Sequence, residues 1–344
     1  MSVARVSVVM AVRNGADFLE AGLRSVLTQD FRDFEFVIID DASTDATPAI
    51  IAQAGDPRIV YHRNETNIGQ TASLNLGLRL ARGAYIARMD ADDAYLPGKL
   101  RAQVAFLDRH PGVAVCGTWA QCVDNHGVVT GVFEPPTAWD EIKARLLWTS
   151  PICHVSVLMR RDVILGVGGY DESYRYSADY HLWSEIVRRG HRLANLPERL
   201  MSYRVSEASF SGASLLGAAG DESVRIILEN ARTLAQVEFS DAEARAIHLR
   251  AHPQWGGVAE RLTAHRALRR LAAAAGARRG LGPSLARWSA LAWSVARAPR
   301  PAAGESLPVC TLTERAALVA GSMLRRLRPS RLVGVRAAVA RVLR

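Results

Sequence analysis

The sequence predicts an α/β protein built on a mostly parallel sheet, followed by a basic helical extension. Three observations carry this. Short β-branched runs alternate with amphipathic helical stretches up to about residue 117. Acidic residues gather where two of those runs end, at Asp40-Asp41 and at Asp90-Ala91-Asp92-Asp93. Charge is divided along the chain: residues 1–210 hold 22 basic and 25 acidic side chains, whereas residues 211–344 hold 21 and 9. Alternating strands and helices imply βαβ units, and a sheet of that kind carries its ligand crevice at the carboxyl ends of its strands.

The elements follow in order. Residues 5–12 (RVSVVMAV), bounded by Asn14-Gly15, read as a buried strand. Residues 16–28 place Phe18, Leu19, Leu23, Val26 and Leu27 on a helical stripe, and residues 34–40 (FEFVIID) form a second strand. The loop 41–45 leads into a helix with Pro48 in its first turn. Arg58–His62 read as a third strand, and residues 70–81 as a helix with Leu74, Leu78 and Ala81 on one face. Residues 84–89 (AYIARM) give a fourth strand, then come a helix around 98–109 and a strand at 113–117. Residues 118–133 predict a hairpin around 124–127. Beyond it lie a strand at 155–160, a Gly168-Gly169 turn, a helix at 179–189 and strands near 192–204. After about residue 211 the pattern is helical and rich in Ala and Arg, with Pro299, Pro301 and Gly304 marking a linker.

Composition excludes several classes. Apolar residues make up 49% of the 344 and charged residues 22%, the balance of a globular chain and not of a disordered one. No apolar run approaches the roughly 18 residues of a membrane span, and no secretory pattern is present, so a cytoplasmic protein is expected. Cys116, Cys122, Cys153 and Cys310 lack CxxC spacing and read as small buried side chains. Neither GxGxxG nor a Walker A sequence follows the first strand, which argues against nicotinamide dehydrogenases and P-loop enzymes.

The acidic clusters carry the chemistry. Carboxylates as close as Asp90, Asp92 and Asp93 repel one another unless a cation sits between them. Mg²⁺ commonly bridges one or two carboxylates to substrate phosphates. The alternative is a solvated acidic turn; an EF-hand is disfavoured, because Tyr95 occupies its glycine position. A carboxylate at Asp40 or Asp41 can accept a hydrogen bond from a base or ribose, or can shape a turn. Asp45 is the better placed of the acids to cap the helix ahead of Pro48. Of the histidines, only His154, in PICHVS at 151–156, stands out.

Six runs then assemble into one pattern: VSVVMAVRNG (6–15), FEFVIIDDASTD (34–45), NIGQTASLNLGL (67–78), YIARMDADDAYLPGKL (85–100), RRDVILGVGGYDE (160–172) and SADYHLWSEI (177–186). In this order they resemble bacterial family 2 glycosyltransferases with the GT-A fold, a Rossmann-like nucleotide-diphospho-sugar transferase fold. The resemblance covers about residues 4–206. It implies transfer of a sugar from a nucleotide donor with inversion at the anomeric carbon. On that resemblance Ala11 and Arg13 line the nucleotide pocket, Asp41 holds the base, and Asn67 and Gly69 belong to the donor-binding run. Arg13 stands where many relatives carry an aromatic residue. Asp90, Asp92 and Asp93 form the DxD-type motif that holds Mg or Mn, with Asp92 shared between ribose and metal. Asp179 matches the general base, with Asp171 and Glu172 as rivals and a helix cap as its other reading. His154, Gly168, Gly169 and Asp171 lie on the acceptor side.

The implied partners are a nucleotide-sugar donor, a UDP-sugar ahead of dTDP- or GDP-sugars, and a glycan or lipid-linked acceptor in surface polysaccharide or glycolipid synthesis. No QxxRW run is present, which favours a non-processive enzyme. A sugar-nucleotide pyrophosphorylase would carry a glycine-rich signature after the first strand, and an inactive binding homologue would not need the full acidic set. The expected domains are 1–210 for catalysis, with a nucleotide half to about 117 and an acceptor half from 118, then a helical region 211–298 and a basic amphipathic tail 305–344. Residues 314–344 hold eight arginines and one acid, Glu314. Such a tail suits peripheral contact with the inner face of a plasma membrane, or packing on its own domain. Nucleic acid is not expected as a partner, because aromatics are few there.

Overall fold

A computed structural model describes residues 4–205, 218–251, 263–264 and 266–271. Its centre is β1 (Val6–Val12), a β-branched strand in which every residue is buried. Burial on both faces is what a central parallel strand requires. Successive side chains point to opposite sides of the sheet. Val9 and Ala11 join Val37, Ile39, Leu74 and Leu78 in one apolar cluster, while Val8 and Met10 join Phe36, Ile38, Leu19 and Leu23 in the other.

The first half of the chain winds as βαβ units. It runs through β1, α1 (Ala16–Leu27), β2 (Phe34–Asp40), α2 (Thr47–Ala54), β3 (Ile59–Arg63), α3 (Gln70–Leu80) and β4 (Tyr85–Met89). These strands lie in the order β3-β2-β1-β4, all parallel. The chain moves outward from β1 to β3 and then crosses back to place β4 on the other side of β1. Strand order therefore reverses between β1 and β4, the position at which open α/β sheets hold ligands.

The second half makes the sheet mixed. After β5 (Ala94–Tyr95) and α4 (Lys99–Arg109) come β6 (Val113–Val123), β7 (Val129–Phe133), α5 (Trp139–Arg145), β8 (Leu158–Arg160), α6 (Arg161–Gly166), α7 (Ala178–Arg188) and β9 (Arg192–Arg204). The order continues β4-β8-β6-β9-β5, with β7 paired to β6. Sequence reading ends one strand at 117 and divides 192–204. In the structure β6 and β9 are single strands, running parallel through shifts of register instead of stopping at turns. The elements β5, α5 and α6 escape the reading because they are too short for periodicity to register.

Beyond these lie α8 (Ala218–Asn230), a π turn at Ala231–Ala235 and α9 (Asp241–Ala251). Leu182, Trp183 and Ile186 of α7 and Val224, Ile226 and Ile227 of α8 belong to the same cluster as Val9 and Leu74. Cys116, Cys122 and Cys153 are buried, and none forms a disulfide among the described residues. Among the described residues no helix is long and apolar enough to cross a membrane. The expected tail 305–344, the 299–304 linker and Cys310 lie outside the described residues.

Candidate active site

The carboxyl ends of β1, β2 and β4 form one rim, because their registers pair Val12 with Asp40 and Met10 with Met89. Asp41 and Asp90, the next residues of β2 and β4, therefore stand on the same edge. Ala11, nearly buried, lies between them on β1. Arg13 is exposed and unpaired among the described residues.

Asp41 is buried, and its carboxylate shapes the loop that opens α3. Oδ1 accepts the Asn64 amide at 2.9 Å and the Ile68 N–H at 2.8 Å, and Oδ2 accepts the Gly69 N–H at 2.9 Å. Asn67 Oδ1 also accepts the Gly69 N–H, at 3.0 Å. The next side chain, Gln70, brings Nε2 to 3.4 Å from Asp90 Oδ1. Asp41, Gly69, Gln70 and Asp90 thus link the two acidic clusters across the crevice. Asp40 is fully buried and turned to local structure, accepting the Ser43 N–H at 2.9 Å and the Tyr61 hydroxyl at 2.8 Å. Asp45 caps as its position suggests: it accepts the N–H of Thr47, which starts α2, and that of Ala16, which starts α1, each at 3.0 Å.

The loop after β4 is held by a cation that sequence reading passes over. Arg88, 1% exposed, donates from Nη2 to Asp90 Oδ1 at 2.6 Å and from Nη1 to the Met89 carbonyl. The signal was available, since a buried arginine inside an apolar run is almost always paired. Asp93 is buried too; its Oδ1 accepts the Arg204 N–H at 2.8 Å, while its Oδ2 has no hydrogen-bond partner among the described residues. Burial, then the charges of Asp90 and Asp92, push the Asp93 carboxyl well above the usual range. Burial and Asp90 raise Asp92 as well. Such a cluster calls for a proton or a cation.

The donor set fits a hard divalent ion in one respect: oxygen donors with an orphaned, buried carboxylate oxygen. Among the described residues no three His, Cys, Asp or Glu side chains converge into a ready cage. That agrees with a site completed by substrate phosphates, because Mg²⁺ ordinarily uses only one or two protein carboxylates there.

The remaining candidate residues lie between α5 and the first turn of α7. His154, in a single 3₁₀ turn before β8, pairs its Nε2 with the Tyr170 hydroxyl at 2.8 Å. Burial, then the charge of Arg88, holds this imidazole well below its usual range, so it is neutral. Gly168 and Gly169 both adopt positive φ, at 97° and 76°. A Cβ on Gly169 would lie 2.7 Å from Asn75 Oδ1. The glycine turn thereby lets α3 grip the loop that follows α6: Asn75 accepts the Tyr170 N–H at 2.9 Å and donates to the Tyr170 carbonyl at 2.8 Å. Asn75 also donates to Glu172 at 3.0 Å. Asp171 is exposed and committed to its own turn; burial raises its carboxyl, but the amide and hydroxyl of Ser173 outweigh this and leave it below the usual range.

Asp179, the second residue of α7, is partly exposed, and Ser150 Oγ donates to its Oδ2 at 3.3 Å. Burial of the carboxylate raises its proton affinity despite the hydrogen bonds it accepts. Burial also pushes the Tyr170 phenol upward, and that phenol feels the charges of Arg88, Asp179 and Asp90 together. The described residues thus offer a partly exposed carboxylate with raised proton affinity at the start of α7 and an acidic, cation-seeking loop after β4.

The chain is similar to known proteins in sequence and in fold. The family model "Glycosyl transferase family 2" matches residues 7–167. The putative glycosyltransferase EpsE of Bacillus subtilis is 35% identical over 215 residues, covering 61% of this chain and 76% of that one. An Escherichia coli protein, the UDP-Glc:alpha-D-GlcNAc-diphosphoundecaprenol beta-1,3-glucosyltransferase WfaP, is 31% identical over 208 residues, covering 60% of this chain and 79% of that one. Among solved structures, S. aureus TarS 1–349 in complex with UDP-GlcNAc aligns with a TM-score of 0.58 at 19% identity, over 85% of this chain and 87% of that one. That last likeness is one of fold, the GT-A arrangement.

Proposed function

We propose that this chain, which belongs to glycosyltransferase family 2 and is a glycosyltransferase, moves one sugar from a nucleotide-diphosphate donor to a hydroxyl of a glycan or lipid-linked acceptor, with inversion. The setting is polysaccharide or glycolipid synthesis at the cell surface. The names of EpsE and WfaP support the class of reaction, and WfaP's name supports a UDP-sugar donor and a diphospho-lipid acceptor. The basic run 314–344 suits peripheral contact with an anionic membrane surface.

The proposed roles are those the family resemblance implies, and the acidic residues at the strand ends support them. Ala11, Arg13, Asp41, Asn67 and Gly69 face the nucleotide, with Arg13 offering a guanidinium to base or phosphate. Asp92 and Asp93, with Asp90 steadied by Arg88, would hold Mg or Mn. When bound, that ion supplies positive charge to the departing diphosphate. Asp179 accepts the proton of the acceptor hydroxyl as its oxygen bonds to the anomeric carbon and the carbon–phosphate oxygen bond breaks. His154, being neutral, and Tyr170 line the acceptor approach without adding charge, and the Gly168-Gly169 turn with Asp171 shapes its rim. No covalent enzyme intermediate enters.

The observation that carries this reading is the partly exposed Asp179 carboxylate at the start of α7, with the Ser150 hydroxyl 3.3 Å from its Oδ2 and a raised proton affinity. Asp179→Asn removes the proton acceptor and little volume. Transfer should fall by roughly 10²–10⁴-fold while binding of UDP-sugars, followed by thermal shift, stays as in the wild type. Transfer at the wild-type rate would end the assignment of Asp179 as base.

A further inference from the structure

α7 begins with amides that have no partner within the helix, as every helix does. Here they lie beside the proposed base. Ser177, which precedes the helix, makes no side-chain cap to it. The segment is held from elsewhere, by α8, which lies outside the part of the chain that the family model covers.

Glu222 of α8 is 6% exposed and accepts three backbone hydrogen bonds. Its Oε1 takes the Arg175 N–H at 2.8 Å. Its Oε2 takes the N–H groups of Tyr176 and Ser177, each at 2.8 Å. The hydroxyls of Ser177 and the neighbouring Ser223 meet at 3.1 Å. A buried carboxylate is costly unless its lone pairs are used, and charge-assisted bonds to amides are the strong kind. Glu222 therefore fixes the backbone of 175–177 from two of its faces. Asp179 follows two residues later.

The same helix grips α7 at its far end. Asn230 donates to the Leu146 carbonyl at 2.6 Å and to Ser184 Oγ at 2.8 Å, and accepts from Arg188 at 3.1 Å. Arg188 is thus a matched contact between the same two helices, more than two turns beyond the base, whereas Asn230 shares the Leu146 carbonyl with the hydroxyl of Tyr180, the base's neighbour in sequence.

We propose that Glu222 is a positioning residue for the transfer reaction: by clamping the amides of 175–177 it sets where the Asp179 carboxylate stands, so α8 is a working part of the active site. The inference rests on the reading of Asp179 as base. A shift of about 1 Å in a catalytic group can cost on the order of 10²-fold in rate. Replacing Glu222 by Gln puts an NH₂ group against amide N–H groups and releases part of the clamp, without touching the nucleotide side.

The test compares Glu222→Gln, Glu222→Asp, Arg188→Ala and Asp179→Asn. The readout is UDP release from the UDP-sugar that the wild type turns over fastest, with melting temperature measured in parallel. Glu222→Gln should lose about 10- to 100-fold in kcat, with KM for the donor within about twofold of wild type. Glu222→Asp, which keeps the carboxylate, should recover part of that loss. Arg188→Ala should lower the melting temperature while keeping kcat within about twofold, because it loosens the end of α7 remote from the base. The proposal is overturned if Glu222→Gln keeps wild-type kcat, or loses it only in proportion to melting temperature as Arg188→Ala does. Should Glu222→Gln fail to fold, Glu222→Asp decides by the same comparison. An inactive Asp179→Asn beside a fully active Glu222→Gln defeats this inference alone; an active Asp179→Asn defeats the base assignment and this inference with it.

Discussion

Lys99 and Arg88 are both fully buried cations near the acidic loop, and the protein treats them in opposite ways. Arg88 keeps a carboxylate, Asp90, at 2.6 Å. Lys99 has an amide instead: Nζ donates to Gln103 Oε1 at 2.9 Å and sits 3.9 Å from the Tyr95 ring centroid. Burial brings its pKa down to about 7. The unfolded chain would hold that proton up to about 10.4. Between these values the unfolded state binds more protons than the folded one, so this residue makes stability rise with pH from about 7 upward. The melting temperature of the wild type relative to Lys99→Met should therefore climb by several degrees between pH 7 and pH 9. A pH-independent difference would show that Lys99 keeps its proton in the fold. At this scale legibility was uneven. The acids on the strand ends could be read, because their positions in the chain are their positions on the rim. Arg88 could have been read as a cation inside an apolar strand. Lys99 could not, since nothing local distinguishes it from an exposed lysine at a helix start.

α3 shows what an element contributes beyond its own residues. Its start offers the Gly69 N–H to Asp41 and the Gln70 amide to Asp90, and its middle holds the Tyr170 loop through Asn75. It can do this because it lies close against β1. A Cβ at Gly77 would come within 2.5 Å of a Val9 methyl. Alanine has a helix propensity about 1 kcal/mol better than glycine, yet overpacking at so tight a contact costs about 1–3 kcal/mol. Gly77→Ala should therefore leave the denaturation midpoint unchanged or lower it, with reduced donor binding as α3 is displaced. A clear gain in stability with full binding would contradict the contact. The helices and strands of the first half were visible in the sequence because each repeats its apolar period several times. The length of β6 and β9 was not, because shifts in their pairing break the alternation that marks a strand.

Over the whole molecule, residues far apart in sequence share one interior. Val224, Ile226 and Ile227 of α8 pack in the cluster that contains Val9, Leu74 and Trp183. A chain ended at residue 210 would uncover that face and lose Glu222 and Asn230 together. It should melt well below the full chain or precipitate, and should show no transfer; a stable, active 1–210 protein would mean that α8 only decorates the catalytic part. The α/β class and the acidic rim could be inferred from sequence, since both follow from local pattern and strand order. The clamp on α7 could not. Its hydrogen bonds join residues 45 to 47 positions apart, and no local period records them.

The reversal of strand order between β1 and β4 exists because of the path the chain takes, not because of any side chain beside it. Side chains at that edge can therefore change while the sheet that carries them stands. Descendants of such a scaffold can trade one sugar for another by small steps, each still a folded protein.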